Sequence, residues 1–515
     1  MRRFIAVAVA VVALFGVITP ASAQMPAPKV TINGLVDFAT TIYKNWSGLD
    51  VTDGGKDHGW YSRERGLFTI TGEVGSTKGV WAIELDGVNG AGAVTAPGNT
   101  NNFDLDTDLS SNAAGNGGFF ETKWLYVETP IMGPGSIMPF VPVSTRLRAG
   151  AQPARGHEYK VGILFGGDFP GVTLESTWAP NLKSTVTYAQ IGEGLDKVVA
   201  PNRATNNEDY AILASVEFEV FKGLTIKPTY AYADYTCGNG QGTAALGTEP
   251  KNGFNPNACG ALNNLNVDTK RHVVGGDVRW TAGPFTVQPT FLYQFGEQGI
   301  GNVQNDTVAI RSWIFDTTAG FRAGPLNIEG RFMWTSGMSA EDTVASGNNV
   351  RYYQPINSGF AYMAGWTEIQ TSGIEYNNAL LGGAGGVSLR TSPSYDKYGR
   401  IFAALAADYA LTPALTLKSL VNMSWTDKAV DTHGVLSGTG LTSTGDDGDE
   451  RFLGTELNLG MTYRFAPNVA FDLIGAYMFT GDAMNHARAT DPIGAPRVRD
   501  ADDIYKLVAR VRFTF

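Results

Sequence analysis

Residues 502–515, at the end of the chain, read D-D-I-Y-K-L-V-A-R-V-R-F-T-F and decide the fold. Every second residue back from Phe515 is apolar, and the residues between include three cations. The two faces are Phe513, Val511, Ala509, Leu507 and Tyr505 on one side and Thr514, Arg512, Arg510, Val508 and Lys506 on the other. This alternation predicts a β-strand whose faces meet different surroundings. Since an apolar core would not accept three cations, we expect water on the polar face and lipid on the apolar face.

A strand of about ten residues is long enough to cross a bilayer at a tilt. It can do so only in a closed barrel, because an open sheet edge in hydrocarbon leaves backbone groups unpaired. The segment therefore predicts a transmembrane antiparallel up-and-down β-barrel; the alternative is an edge strand of a soluble β-protein. A terminal Phe on such a strand resembles the assembly signal of bacterial outer-membrane barrels, which implies that the barrel assembly machinery recognises Phe515.

The N-terminus predicts export. Arg2 and Arg3 precede an apolar run over residues 4–18, and small residues follow. This pattern is typical of a secretory signal peptide, so we expect residues 1–23 to be removed and residues 24–515 to form the barrel. A transmembrane anchor is the alternative, but the run is short and ends in small residues. No later apolar run approaches the about eighteen residues that a spanning helix needs.

The composition agrees with an exported barrel. The chain has 63 Gly, 11% aromatic and 17% charged residues, and its mean hydropathy is −0.09. A mean hydropathy close to zero is expected when each strand has one apolar and one polar face. The formal net charge is −10, which gives no electrostatic basis for nucleic-acid binding.

The two cysteines, Cys237 and Cys259, lie in one Gly/Asn-rich stretch. In an exported protein we expect them to form a disulfide that closes a loop. Two thiols without a nearby pair of histidines make a poor metal site. The chain has no C-x-x-C-H motif, so we expect no covalently attached haem.

Short turns alternate with long polar loops along the chain. Pro or Gly marks the short turns at residues 179–181, 221–223, 282–284, 323–325, 412–414 and 466–468. Such alternation is typical of outer-membrane barrels, whose turns are short on the periplasmic side and long outside. Counting the segments between turns predicts about eighteen strands. Residues 171–178 and 338–397 are hard to assign, so sixteen strands, or twenty, are the alternatives. An even number places both termini on the periplasmic side.

Ten aromatic residues stand at predicted strand ends. Rings at two levels are typical of the interfacial girdles of a membrane barrel, whereas the alternative is packing in the core of a soluble sandwich. The ten are Tyr43, Trp81, Trp178, Trp280, Phe295, Trp334, Trp425, Phe465, Phe479 and Phe515.

The first 155 residues resemble the start of Gram-negative outer-membrane porins, including the phosphate-selective and related families. The matching pieces are N-G-L-V-D-F (33–38), R-E-R-G-L-F-T-I-T-G-E-V (63–74), G-V-W-A-I-E-L-D (79–86), W-L-Y-V-E-T (124–129) and R-L-R-A-G-A-Q-P (146–153). The resemblance implies a passive diffusion channel for small hydrophilic solutes or ions. It also implies a homotrimer in the bacterial outer membrane, surrounded by lipid and lipopolysaccharide.

The alternation assigns charged side chains to the lumen, where the selectivity of a channel is decided. The predicted lumen-facing residues include Lys506, Arg510 and Arg512 near the C-terminus. They also include Glu329 and Arg331, which lie earlier in the chain. Cations and anions nearly balance along the predicted wall, and many are expected to pair across strands. The count alone therefore predicts little ion selectivity.

Residues 152–169 form the third long loop, and its apolar core V-G-I-L-F is unusual for a solvated loop. A loop that folds into the lumen would bury this core against the wall, and the third loop narrows the pore in many porins. We therefore hypothesise a constriction; the alternative is a partly buried outer loop. Its predicted residues are Arg155, His157, Glu158 and Lys160 on the loop, facing Arg146 and Arg148 on the wall. Residues 338–397 are a second candidate plug.

Other functions have weaker signals. Two acidic clusters in predicted outer loops could bind Ca²⁺, but neither has a complete calcium-loop pattern, so we expect no cofactor. The clusters are Asp104, Asp106 and Asp108, and Asp446, Asp447, Asp449 and Glu450. An active site at the rim, as in barrel hydrolases, has no nucleophile motif here. A substrate-specific channel and a sheath or receptor for a partner protein stay open as alternatives.

Overall fold

A computed structural model describes fifteen segments of the chain. They are residues 27–45, 58–89, 121–160, 162–193, 208–235, 269–299, 307–342, 347–356, 366–371, 373–374, 397–432, 435–437, 440–442, 447–488 and 498–515. The predicted signal peptide, Cys237, Cys259 and the acidic cluster at 104–108 lie outside the described residues. Within the described residues, no helix is long and apolar enough to cross a membrane.

Eighteen antiparallel strands form one closed sheet. The first nine are β1 (Lys29–Lys44), β2 (His58–Val74), β3 (Thr77–Asn89), β4 (Glu121–Met132), β5 (Ser144–Pro153), β6 (Asp168–Ala179), β7 (Leu182–Glu193), β8 (Glu208–Phe221) and β9 (Leu224–Tyr235). The other nine are β10 (Thr269–Ala282), β11 (Phe285–Gly299), β12 (Thr307–Ala323), β13 (Leu326–Thr335), β14 (Arg400–Ala410), β15 (Leu415–Val430), β16 (Glu450–Ala466), β17 (Val469–Thr480) and β18 (Ile504–Thr514).

The barrel closes where β18 pairs with β1. The pairing runs from Leu35 opposite Thr514 to Lys44 opposite Tyr505, and every other strand pairs with its neighbours in sequence. Closure leaves no sheet edge, as the alternation in the last strand predicts. The predicted count of eighteen is confirmed, and the alternatives of sixteen and twenty are wrong.

The two faces of β18 meet different surroundings, as the alternation of apolar and polar residues predicts. Tyr505, Leu507 and Val511 are exposed on the outside, whereas Lys506 and Arg510 are buried on the inside. Large apolar side chains are likewise exposed on the outer face of the other strands, for example Leu405 and Leu459. An exposed apolar belt around a closed barrel is the surface that a bilayer covers.

Two-residue turns join most strand pairs at the end of the barrel that holds both termini, which we call the turn end. Gly75–Ser76 and Lys222–Gly223 are examples. The long connections lie at the opposite end, which we call the loop end. The connection between β4 and β5, residues 133–143, is an exception, because it is long although it lies at the turn end.

Three details differ from the sequence predictions. Tyr43 is buried inside the barrel against Tyr61, with ring centroids 6.2 Å apart, and so does not belong to an outer girdle. The strand β13 ends at Thr335 rather than near residue 337, and the described part of residues 336–399 adds no barrel strand. The strand β2 begins at His58, earlier than predicted, because polar residues continue the ladder beyond the apolar belt.

Phe515 closes the seam of the barrel. Its N–H donates to the Gly34 carbonyl at 3.0 Å, and its own carbonyl accepts from the Gly34 N–H at 2.9 Å. The Phe515 ring stacks on Phe513 at 5.5 Å and lies 5.9 Å from Phe68. A Cβ atom at Gly34 would collide with this ring. The missing side chain at Gly34 therefore makes room for the terminal ring.

We expect Gly34→Leu to expel the Phe515 ring and to destabilise the barrel by about 1–3 kcal/mol, the usual cost of overpacking. The measurement is urea unfolding in liposomes, followed by the heat-dependent gel shift of the folded barrel. Gly72→Leu is the matched control, because a Cβ atom at Gly72 meets nothing within 4 Å. Equal stability of the two variants would contradict the assignment of the seam to Phe515.

Candidate pore constriction

Two loops fold back into the barrel. The β5–β6 loop consists of residues 154–167, and the β13–β14 loop consists of residues 336–399, of which 336–342, 347–356, 366–371, 373–374 and 397–399 are described. Both contain residues that are buried against the inner wall. Together they decide how much of the lumen stays open.

The apolar core of the β5–β6 loop packs on an apolar patch of the inner wall. Ile163, Leu164 and Phe165 are almost completely buried, and the Phe165 ring packs edge-on against Phe169 at 5.0 Å. Small side chains on the wall, such as Ala189 and Ala211, leave the space that these residues fill. The predicted inward folding of this loop is confirmed.

Polar residues of the same loop bind the wall. The His157 ring lies between Thr187 Oγ1, 2.7 Å from Nε2, and Ser215 Oγ, 3.2 Å from Nδ1. Lys160 Nζ donates to Gln288 O at 2.7 Å, Thr290 Oγ1 at 2.9 Å and Asp316 O at 3.0 Å. These bonds reach from β7 to β12, so the loop crosses about a third of the wall.

Glu158 and Tyr159 complete the anchoring. The two Glu158 carboxyl oxygens accept from the N–H groups of Gly162 at 2.5 Å and Leu164 at 2.6 Å, which fixes the turn of the loop. The Tyr159 N–H donates to Asp277 Oδ2 at 3.1 Å. The Tyr159 ring lies beneath the Arg279 guanidinium, 3.8 Å from its centre, where a cation–π contact is favourable.

Burial changes the protonation of the loop residues. It lowers the pKa of His157 to about 3, helped by the charge of Lys227, so the ring is neutral at ordinary pH. Burial also raises the pKa of Glu158 to about 8, although the N–H groups of Leu164 and Gly162 oppose the shift and Asp277 adds to it. The charge of Glu158 therefore changes between pH 5 and 9.

We expect the β5–β6 loop to loosen as the pH rises through about 8. Since the pKa of Glu158 is raised in the docked loop, docking is strongest below the ordinary pKa near 4.5 and weakens as the carboxyl ionises. Single-channel recording at pH 5, 7 and 9 should show more current fluctuation at pH 9. Glu158→Gln cannot ionise and should give traces that do not change over this range. The same pH response in both proteins would contradict the assignment to Glu158.

The β13–β14 loop first runs along β10–β12. Arg271, fully buried on β10, donates to the backbone and side-chain oxygens of Gln354 at 3.1 and 2.9 Å. The Tyr353 hydroxyl then donates to Ile163 O at 2.7 Å, and the Ile356 N–H donates to Leu164 O at 2.8 Å. The two inner loops are thus bonded to each other inside the barrel.

The same loop then crosses to the other side of the lumen. Glu456 on β16 accepts from the N–H groups of Ile369 at 2.9 Å and Gln370 at 3.0 Å. Lys506 Nζ on β18 donates to Glu368 O at 2.7 Å, and Arg510 donates to Ile374 O. Two residues that the sequence assigned to the lumen therefore hold a loop as well.

Glu329 and Arg331 point inward on β13. Arg331 and Asp316 form a buried ion pair at 2.6 Å, and the Arg331 guanidinium lies 5.4 Å from the Trp366 ring centre. Glu329 is half-buried nearer the turn end. Arg331 therefore supports the junction of the two loops with the wall.

The described contacts of the two loops fall mainly on β7–β18. We use the name passage for the part of the lumen beside the inner wall of β1–β6, where the described loop residues make fewer contacts. Basic side chains here cluster around single carboxylates. Glu128 binds Arg146 at 2.8 Å, Lys78 at 3.1 Å and Arg148 at 3.2 Å. Glu84 is paired with Arg65 and Lys123. Outside the passage, on β17 and β18, Asp472 is paired in the same way with Arg510 and Arg512.

In these clusters the cations lie nearer the water than the carboxylates. The Arg146 side chain is 39% exposed and Glu128 only 7%, and Arg512 is 35% exposed and Asp472 only 2%. Glu175, which pairs with Arg148 at 3.0 Å, is the reverse case at 36%. The groups of these clusters that face the water are therefore mostly guanidinium and ammonium groups.

Arg155 adds a further cation beside this wall. It is exposed, and its guanidinium donates to the Tyr126 hydroxyl on β4 at 3.0 Å. The Arg148 guanidinium lies 5.6 Å from the centre of the same Tyr126 ring. Arg155, Arg148 and Tyr126 thus mark the place where the β5–β6 loop contacts β4, the neighbour of the strand from which the loop leaves.

The structure brings together part of the predicted constriction. Arg155 contacts Tyr126 on β4, next to the strand that carries Arg146 and Arg148. His157 and Lys160 instead bind β7, β8, β11 and β12, and Glu158 binds the backbone of its own loop. Arg65, Lys78, Glu128 and Glu175 were not predicted as passage residues. Extending the alternation of β2 back from Thr69 places Arg65 on the inner face, so that signal was available.

The second acidic cluster is only partly described. Asp449 accepts from the Thr432 N–H at 3.0 Å and from its hydroxyl. Within the described residues, no group of three or more His, Cys, Asp or Glu side chains has the arrangement of a metal site.

Several solved structures are similar to this chain in their overall course. OccK8 (OprE) of Pseudomonas aeruginosa shares 11% identity over 95% of this chain and 98% of its own, with a TM-score of 0.48. OccAB3 of Acinetobacter baumannii shares 8% sequence identity over 94% of this chain and 99% of its own, with a TM-score of 0.47. The outer membrane protein OpdK of P. aeruginosa shares 9% sequence identity over 94% of this chain and 99% of its own, with a TM-score of 0.45. With TM-scores below 0.5, these similarities carry no inference about function.

Neither a protein-family model nor a curated protein sequence matches the chain. The resemblance of its first 155 residues to phosphate-selective porins therefore stays a prediction.

Proposed function

We propose that this protein is a bacterial outer-membrane channel through which small hydrophilic solutes diffuse passively, with a preference for anions. The observation on which the proposal rests is the passage, which has partly exposed cations along its wall and the exposed Arg155 beside them. The anion preference goes beyond the near balance of charges in the sequence. It arises because the carboxylates of Glu128 and Glu84 are less exposed than their basic partners.

The proposed location follows from the outer surface of the barrel. A closed barrel with an apolar belt is one of the two architectures that can span a bilayer. In the bacterial outer membrane, short turns lie in the periplasm and long loops lie outside. We therefore assign the turn end to the periplasm and the belt to lipid and lipopolysaccharide.

Anions would be favoured for two physical reasons. Guanidinium groups form charge-assisted and often bidentate hydrogen bonds with carboxylates and phosphates, which compensate the water that such a solute loses. Moreover, Arg65, Lys78, Lys123 and Arg146 lie on four adjacent strands, β2 to β5, so an anion can pass from one cation to the next. Cations meet the same groups as an electrostatic barrier.

The two inner loops favour a narrow, selective channel over a wide general pore. An eighteen-stranded wall would leave a broad water channel unless loops fill it. Here the β5–β6 loop and the β13–β14 loop are bonded to each other through Tyr353 and Ile163, so the opening is displaced to the side of β1–β6. Substrate-specific passage is therefore the finer form of the proposal.

The test is single-channel recording of the purified protein in a planar bilayer. We expect steps of uniform, low conductance and a reversal potential in a KCl gradient that indicates chloride preference. Millimolar phosphate should lower the chloride current by competing for the cationic wall, whereas glucose at the same concentration should not. Cation preference would contradict the role of the passage. Silence from correctly folded protein would favour a sheath or receptor, or a rim hydrolase.

Trimer formation and recognition of Phe515 by the barrel assembly machinery stay predictions. So do cleavage after residue 23, the disulfide between Cys237 and Cys259, and the absence of cofactors and catalytic activity.

A further inference from the structure

The connection between β4 and β5 differs from the other connections at the turn end. Residues 133–143 read G-P-G-S-I-M-P-F-V-P-V, and no charged residue occurs between Glu128 and Arg146. Neighbouring hairpins turn within two residues, as at Gly75–Ser76 and 180–181. The barrel does not need eleven residues to connect β4 to β5. We call this segment the β4–β5 knob.

The knob has a defined conformation. Met138 forms a bridge with Met132 at the end of β4, whose opposite edge pairs with β5 through Thr145. The knob therefore occupies the edge that β3 leaves open beyond the described pairing of Lys78 with Glu128. Gly133 and Gly135 have φ angles of 92° and 76°, which favour glycine, and they form the bend.

Half of the backbone N–H donors of the knob are already used. Gly133, Ser136, Met138 and Val141 donate their N–H groups to carbonyls in the same region, at 3.0 to 3.3 Å. Three of the other positions are prolines, which have no N–H group. The Ser136 hydroxyl donates to Gly133 O at 2.6 Å and accepts from the Met138 N–H at 3.2 Å. These bonds lower the cost of taking the segment out of water.

The side chains at its tip are apolar and exposed. Phe140 is 81% exposed and Ile137 is 52% exposed. An ordered apolar protrusion of this kind marks a contact surface, because it would otherwise expose apolar area to water.

The neighbouring surface indicates what covers the knob. Leu125 and Val127 on the outer face of β4, and Trp178 near the end of β6, are all more than half exposed. They belong to the belt that is assigned to lipid, and the knob continues β4 directly. Tryptophan at this level is typical of a membrane interface.

We propose that the β4–β5 knob inserts Ile137 and Phe140 into the boundary between head groups and acyl chains of the periplasmic leaflet, and so anchors the turn end of the barrel. The proposal rests on the membrane location assigned under the proposed function. It adds a lipid contact beyond the barrel wall, from a connection that would otherwise be expected to lie in water.

The test uses single cysteines labelled with an environment-sensitive fluorophore, in a Cys237→Ser, Cys259→Ser background reconstituted in phosphatidylethanolamine/phosphatidylglycerol vesicles. Phe140→Cys and Ile137→Cys report on the knob. Val127→Cys is the lipid-facing control, and Asn181→Cys, in the next two-residue turn, is the water-facing control. The fluorescence of each labelled variant is quenched in turn by a nitroxide-labelled phospholipid and by aqueous iodide.

We expect the probes at 137 and 140 to resemble the probe at 127, with strong quenching by the lipid and weak quenching by iodide. Quenching like that at 181 would overturn the proposal, since the knob would then lie in water. Protection from both quenchers would also overturn it, because a second copy or another protein would then cover the knob. If the probe at 127 is not reached by lipid quencher, the membrane location itself fails, which distinguishes the two proposals.

Discussion

Replacing residues 155–166 by two glycines is expected to raise the single-channel conductance several-fold. The two ends of the loop are already adjacent, because the Ala154 N–H donates to Gly167 O at 2.9 Å. The replacement should therefore leave β5 and β6 in register. It removes the segment that lies along β7–β12 and also the bonds that Ile163 and Leu164 make to the β13–β14 loop. An eighteen-stranded wall without its inner loops leaves a wide aqueous lumen.

The control for this deletion keeps the loop and removes one anchor. Lys160→Met preserves most of the side-chain volume but loses three hydrogen bonds to β11 and β12. We expect it to give irregular transitions between the normal and a higher conductance, rather than a steady increase. Folding of both variants is checked by the heat-dependent gel shift. An unchanged conductance in a folded deletion variant would mean that the β5–β6 loop does not limit the passage.

The barrel could be predicted from the local sequence pattern, because apolar and polar side chains alternate along a strand according to the surroundings of its two faces. In β18, Lys506 and Arg510 alternate with Leu507 and Val511, and this alternation alone specifies one face toward lipid. Every strand is paired with its neighbour in sequence, so the topology needed no long-range information. The position of the inner loops was harder to predict, because their contacts join residues that are far apart in the chain.

The roles of individual loop residues depend on which surface they face. In a soluble protein, polar residues such as His157 and Lys160 would be expected to face water. The inner wall of this barrel is itself polar, and Thr187, Ser215 and Thr290 provide partners for them. The polarity of a loop residue therefore does not predict whether its side chain contacts the wall or faces the passage. Tyr43 is the converse case, an amphipathic ring that packs inside because loop residues cover it.

Arg155→Glu combined with Arg146→Gln is expected to convert anion preference into cation preference. The pair removes two exposed guanidinium groups from the passage and adds one carboxylate. Gln at position 146 can still donate to Glu128, which keeps Arg148 and Lys78 as further partners. In the unchanged protein these carboxylates lie behind their basic partners. In the double variant they would contribute more to the electrostatic field in the passage, where screening by water is weaker than in bulk solution.

The measurement is the reversal potential in a KCl gradient, whose sign should change. Lys222→Glu combined with Lys270→Gln is the matched control, because it changes the net charge equally but at an exposed turn and on the outer face. The single substitutions should each shift the potential in the same direction, and their effects need not add, since both side chains act at one narrow place. A sign that changes equally in the control would mean that total charge, and not the passage, sets the ion preference. No change in either double variant would show that ions cross elsewhere in the barrel.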